Sequence, residues 1–385
     1  MASGNTIENG ALAPEDEAAL AELLASADGP LRIAGGGTRP IGRPVRGRVL
    51  TTRRLSGVSL YEPGALTLVV GAGTPLAEVE ALLAAEGQRL PFEPMDHRGL
   101  LGTTGEPTIG GVAAANVSGP RRVRAGACRD FLLGVRFVDG TGTVVRSGGR
   151  VMKNVTGYDL VRLMAGSFGT LGVLTEVAFK VLPAPELAAT LAFEGLDLRE
   201  AVLLMTRALA SPWEVSGAAH VPGADGTFRT LLRLEGFADS VHYRAGRLAE
   251  RLSGFGAPET DTEPASVAAT WREVRDVGPF HEREGDVWRI SVKGTDAPEV
   301  AERFPEASFM FDWGGGLVWA LVPPGTELRA RLDGIPGHAT LVRADATTRE
   351  RIAPFPPEPA AVATLSEGLR RKFDPRGILN PGLMT

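Results

Sequence analysis

The sequence predicts an α+β protein built from two domains, and three observations carry that reading. At 385 residues the chain exceeds what a single hydrophobic core ordinarily serves. Residues 1–185 mix short β-rich runs with helices and three glycine-rich stretches, whereas residues 186–358 twice follow the order strand, helix, strand, strand, helix. The pattern changes at Pro183-Ala184-Pro185-Glu186, which sets the expected boundary, and residues 359–385 form a closing helix and tail.

In chain order, APEDEAALAELLASA (13–27) repeats apolar positions at helical spacing behind an acidic first turn. LRIAGGGT is a short buried strand entering a glycine loop. RVLTT (48–52) and LTLVVGAG (66–73) are strands, and a helix follows with Thr74 as N-cap and Pro75 at its first position. This opening reads as a small βαβ-type unit. DFLLGVRFVDGTGTVVRS is a hairpin turning at Asp139-Gly140. The run from Lys153 to Pro183 supplies a short helix, a glycine-punctuated turn and a long strand.

Beyond the boundary come a strand from 188, a helix at 197–210, strands at 213–221 and 227–236, and a helix at 239–254. A polar, proline-containing connector leads to a strand at 286–293, a helix at 297–304, strands at 307–313 and 316–322, a helix at 325–332 and a strand at 338–343. Two βαββα units fit one antiparallel sheet with helices on one face. A last helix, 360–373, precedes FDPRGILNPGLMT.

With 43% hydrophobic residues, 23% charged residues and a net charge of -5, the chain is neither disordered nor a nucleic-acid coat. Cys128 is its one cysteine, which excludes an internal disulfide, a cysteine-bound zinc site and an iron–sulfur cluster held by this chain. Its five histidines are scattered, so no metal site is expected. A reducing cytoplasm fits, and the lack of a signal pattern or an apolar span leaves membrane contact at most peripheral, on the inner face of the plasma membrane.

The glycine-rich stretches are Gly35-Gly36-Gly37-Thr38, Thr108-Ile109-Gly110-Gly111 continuing to Asn116, Ser118 and Gly119, and Gly166-Ser-Phe-Gly-Thr-Leu-Gly172. Each alone reads as a tight turn. Together they suit a cradle in which backbone N–H groups converge on phosphate oxygens with no Cβ in the way. Neither G-x-G-x-x-G after a strand nor a P-loop pattern occurs, which disfavours those two folds.

The order GGGT, TIGGVAAANVSG, GSFGTLGVLTE and FDPRGILNPG resembles the vanillyl-alcohol oxidase flavoproteins, whose FAD domain is of the p-cresol methylhydroxylase type. PTIGGVAAANVSGPRR, KNVTGYDLVRLMAGSFGTLGVLTE, WRISV at 288, DWGGG at 312 and HATLVRA at 338 resemble the FAD-binding (E) subunit family of bacterial glycolate oxidases. The resemblance covers nearly the whole chain and is strongest between 30 and 183. It implies a two-subdomain FAD-binding domain over 1–185, an antiparallel-sheet α+β cap over 186–358, and a tail returning to the FAD domain. It also implies FAD binding by Gly35, Gly36, Gly37, Thr38, Thr108, Ile109, Gly110 and Gly111 at the diphosphate. Asn116, Ser118 and Gly119 would line a deeper loop, and Val173 would meet the adenosine part. Phe168 replaces a frequent acidic residue of the family. The first glycine loop has no His or Cys for covalent attachment, so the implied FAD is noncovalent.

For a 2-hydroxy acid substrate, an arginine fork would clamp the carboxylate and a base would take the hydroxyl proton. The catalytic candidates are Arg289, His338 and Arg343, with surface packing on Trp288 or Trp319 as the other reading of Arg289 and structural hydrogen bonding that of His338. In a regular strand His338 and Arg343 point to opposite faces. His97 is either at the flavin edge or solvated in its loop. The paired histidines and Glu-His-Gly of the family's catalytic dehydrogenases are absent. The implied role is therefore a redox subunit of a glycolate-to-glyoxylate oxidase, beside a second FAD subunit and an iron–sulfur subunit. Two other roles share the motifs: an autonomous flavoenzyme acting on a hydroxy acid or sugar, and a scaffold without flavin. Arg121, Arg122 and Arg124 fit a solvated loop, an FAD contact or a subunit interface, and without interleaved aromatics they do not suggest nucleic acid.

Overall fold

Short β-rich runs such as Thr67–Gly71, buried from Thr67 to Val70, become strands because every side chain on both faces finds an apolar neighbour. The structure is a computed structural model and describes residues 5–8, 10–149, 157–223 and 226–385. The KNVT part of the third motif segment lies outside the described residues.

Two sheets form the N-terminal part. In the first, Leu31–Ala34 pairs in parallel with Arg48–Thr51, which pairs in parallel with Ala11–Pro14, and the helix Glu17–Ser26 makes the crossover. The second is antiparallel, in the order Val58–Glu62, Thr67–Gly71, Val173–Lys180, Leu132–Val138, Val144–Gly148. The expected hairpin is its outer pair, where Asp139 Oδ1 accepts from the N–H groups of Thr141 and Thr143.

Several local expectations are corrected. The first helix starts at Glu17, because Ala11–Pro14 is a strand and the Asp16 carboxylate caps Ala19 N at 2.8 Å. The helix after Thr74 starts at Leu76 with Pro75 at the N-cap. Thr74 Oγ1 instead accepts from Gly57 N and donates to the Gly71 carbonyl, so its hydroxyl holds a turn and not the helix end. The second glycine stretch is not a loop throughout: Ile109–Ala114 is helical, with Thr108 as its N-cap. The connector contains a strand, Glu259–Asp261, and a helix, Pro264–Asp276, that buries Val267, Trp271 and Val274.

Residues from Leu187 onward form one eight-stranded antiparallel sheet, in the order 259–261, 187–194, 228–236, 217–222, 308–312, 317–322, 286–292, 337–343. Its faces alternate with period two. Leu191, Leu232, Trp288, Ile290 and Leu341 pack in one core with residues of the helices Leu198–Leu209 and Ala238–Arg251. Ala192, Leu231, Met310, Trp319 and Leu321 face the other way and share a core with Phe92, Val112 and Phe179 of the N-terminal part. Among the described residues no helix is long and apolar enough to cross a membrane.

Candidate functional site

A cleft of about 350 Å³ opens where the three glycine segments and the C-terminal tail meet. Gly35, Gly36, Gly37, Thr38, Thr108, Gly110, Gly111 and Val173 line it, so eight of the expected residues come together. Ile109 lies beneath, fully buried in the core. Asn116, Ser118 and Gly119 are not in the lining. Asn116 Oδ1 accepts from Arg129 N, Ser118 Oγ accepts from Cys128 N, and Gly119 N donates to the Phe92 carbonyl. These three hold the loop in place.

The glycines divide by role. A Cβ on Gly36 would stand 1.5 Å from the Glu106 carbonyl oxygen, and one on Gly35 would stand 2.3 Å from Thr108 Oγ1. Both are glycine because two loops touch. Gly37, at φ +73°, has nothing within 4 Å of its Cβ position and faces open space. Among the described residues no protein acceptor takes the N–H of Gly36, Gly37 or Thr38. Three consecutive donors are thus unpaired beside the cleft, an arrangement suited to an anion.

The cleft is also cationic. Arg39, Arg43 and Arg349 line it, and none forms an ion pair among the described residues. Arg43 and Arg349 are tied to backbone carbonyls of Glu350 and Pro40. Arg39 is desolvated by its burial, which lowers its pKa to about 10. Its Nη1 donates to the Gly111 carbonyl at 2.9 Å and its Nε to His97 Nδ1 at 3.1 Å. The Arg39 bond uses Nδ1 as an acceptor, because arginine only donates, whereas the Met95 carbonyl 3.3 Å from the same nitrogen calls for Nδ1–H. Burial and the Arg39 charge hold the His97 pKa well below the usual histidine range. His97 is buried at 7% exposure, so its loop is not solvated. Cys128 is fully buried, its thiol pushed up by desolvation, behind the helix of the second glycine stretch.

Sequence reasoning missed Asn380, although it lies in the quoted NPG. Its Oδ1 accepts from Ile33 N and its Nδ2 donates to the Phe168 carbonyl, both at 2.8 Å, so the tail ties the first and third glycine segments together.

The other candidates separate. Arg289 stacks on Trp313 rather than on Trp288 or Trp319. His338 is exposed and lies on the same sheet face, since Ser291 pairs with His338 and Arg289 with Thr340. Arg343 pairs with Val287 across a register shift, which brings it to that face despite its odd spacing from His338. Its guanidinium donates to the carbonyls of Gly285, Leu100, Phe280 and Arg283, a purely structural set.

The basic cluster also splits, because the short helix Arg122–Ala125 aims successive side chains apart. Arg121 enters a buried network in which its Nε meets both Glu235 oxygens at 3.1 Å. Arg233 is bidentate to Glu93 at 2.9 and 2.8 Å, and stacks 4.3 Å from the Trp271 ring centroid. Arg124 pairs with Glu214 at the surface, and Arg122 stacks on Trp313.

Fold and site together define an FAD-binding flavoprotein: residues 9–148 match the family described as FAD binding domain. A solved alkyldihydroxyacetonephosphate synthase superposes over 97% of this chain and 78% of its own, with a TM-score of 0.70 at 17% identity, which establishes the fold. The glycolate oxidase subunit GlcE of Escherichia coli (strain K12) is 37% identical over 359 residues, 92% of each chain. The chain belongs to the GlcE family of glycolate oxidase subunits. The glycolate oxidase subunit GlcD of Bacillus subtilis (strain 168) is 33% identical over 153 residues, which are 39% of this chain and 31% of GlcD.

Proposed function

We propose that this chain is the FAD-binding redox subunit of a glycolate oxidase complex that converts glycolate to glyoxylate. Residues 1–185 hold FAD, 186–358 cap it, and 359–385 return to close the cleft. The unpaired N–H groups of Gly36, Gly37 and Thr38 carry the reading, because a diphosphate satisfies donors that the protein leaves free. Gly110 and Gly111 line the same cleft, their N–H groups held by the Ala72 carbonyl and Thr108 Oγ1; Arg39, Arg43 and Arg349 supply positive charge, and Val173 meets the adenosine part. No cysteine or histidine lies in the first glycine loop, which supports noncovalent binding. Bound FAD supplies a two-electron acceptor. Burial and the Arg39 charge keep His97 neutral beside the cleft.

A multi-subunit setting fits the surface. The helix Ala360–Phe373 buries none of its residues, and Val362, Leu365 and Leu369 expose an apolar stripe. A second FAD subunit and an iron–sulfur subunit are the expected partners, since one buried thiol cannot hold a cluster. The complex works in the cytoplasm or at the inner face of the plasma membrane.

The test is purification of the tagged chain from its host. One FAD per chain, released into the supernatant by acid precipitation, together with co-purifying FAD and iron–sulfur subunits, is expected. A chain that takes up no flavin even after FAD is added would overturn the reading.

A further inference from the structure

Where the N-terminal part meets the eight-stranded sheet, two guanidinium groups find no acceptor among the described residues. Arg122 and Arg289 lie 4.8 and 5.1 Å from the Trp313 ring centroid. Among the described residues neither side chain makes an ion pair or a hydrogen bond to the protein. Neither is sealed: both keep accessible surface, and no nitrogen of either is a buried atom without a partner. Their N–H donors therefore find no partner among the described residues and stay open to solvent.

The arrangement is costly for the fold by itself. Desolvation and the neighbouring Arg122 charge lower the Arg289 pKa to about 10, and desolvation lowers that of Arg122 as well. Trp313, the ring both arginines pack against, is fixed from two sides. Its Nε1 donates to the Gly119 carbonyl at 3.1 Å, and its backbone N–H donates to Asp312 Oδ1 at 2.7 Å. It also holds a left-handed φ of 53°, the kind of backbone strain that persists where surrounding structure over-determines it. His338 lies at the rim on the Arg289 face, its pKa lowered by partial desolvation and by the two arginine charges.

We propose that Arg122 and Arg289 bind the carboxylate of a small 2-hydroxy acid, giving this subunit an acid-binding site of its own beside the FAD cleft. The proposal rests on the FAD reading above. A planar guanidinium matches a carboxylate bidentately, and a carboxylate offsets the repulsion that the empty pair carries. The diphosphate has its own donors in the glycine cradle, so this pair is left for a different anion. Gly119, from the second glycine stretch, thereby positions the Trp313 platform.

The test is calorimetric titration of the FAD-loaded chain with glycolate and with its neutral analogue glycolamide, beside the flavin difference spectrum. Glycolate is expected to bind at least tenfold more tightly than glycolamide and to perturb the flavin bands. Arg122→Gln and Arg289→Gln are each expected to weaken glycolate at least tenfold, Arg289→Lys less so, and Arg124→Gln not at all, with FAD retained throughout. Circular dichroism melts exclude a folding defect, and the Lys variant reads the charge if a Gln variant fails to fold. Equal affinity for glycolate and glycolamide, or unchanged glycolate affinity in both Gln variants while FAD is retained, would overturn the proposal. A wild-type chain that binds no FAD would instead strike the FAD reading.

Discussion

The interface between the N-terminal part and the eight-stranded sheet holds two sets of arginines that differ in one respect. Arg233 and Arg121 meet Glu93 and Glu235 in an ion-paired network, whereas among the described residues Arg122 and Arg289 share only an indole. In the first set every charge is answered, and the Arg233 and Arg121 charges, outweighing burial, hold the Glu235 carboxyl well below its usual range. In the second set burial and repulsion push both guanidiniums down. Residue type is the same in both sets. What separates structure from binding is whether the protein supplies the acceptor.

The largest effect expected from breaking this contrast is at Arg233. Arg233→Met removes the bidentate partner of the buried Glu93 and leaves it only Arg121, whose Nη1 lies 3.3 Å away, and should cost roughly 3–5 kcal/mol in urea unfolding. A histidine kept neutral by burial sits on the same sheet. His220 is 2% exposed, stacks on Phe228 and shares a 2.9 Å hydrogen bond with Thr230, and desolvation lowers its pKa from 6.5 to about 4. Between those values the unfolded chain binds the extra proton, so stability is full above pH 6.5 and falls as pH drops toward 4. The His220 share of that loss is on the order of 3 kcal/mol, and His220→Gln should flatten the acid limb of a stability–pH profile.

Next comes Gly36→Ala. A Cβ 1.5 Å from a backbone oxygen forces the two loops apart. A cost of roughly 1–3 kcal/mol is expected, with weakened FAD binding in a fluorescence titration because the three free donors shift with the loop. The smallest effect belongs to Arg124→Gln, at an exposed pair with Glu214, which should change the unfolding free energy by less than about 1 kcal/mol.

Local periodicity made much of the fold legible. The helices 198–209 and 360–373 and the strands 286–292 and 317–322 fall within a few residues of expectation, because their apolar spacing is unambiguous. Pro264–Asp276 did not register as a helix. Its buried Val267, Trp271 and Val274 are sparse among charged neighbours, and only packing against strand 187–194, where Trp271 donates to Thr190, reveals their face.

At the site, the glycine loops were legible because consecutive glycines have few uses. Arg39 was not, since a lone arginine after a glycine loop looks solvated until His97, 58 residues away, appears beside it. The same holds for Glu93 and Arg233, which are separated by 140 residues. The arginine cluster was visible as charge, but its threefold division depends on a helical turn that sequence alone did not resolve.

The most direct test of the contrast is the unfolding free energy of Arg289→Gln measured beside Arg233→Met at neutral pH without added anions. Removing a desolvated and repelled charge should leave stability unchanged or raise it, while Arg233→Met loses several kcal/mol. An Arg289→Gln chain destabilised as severely as Arg233→Met would show that the pair at Trp313 is part of the scaffold, and would contradict the account.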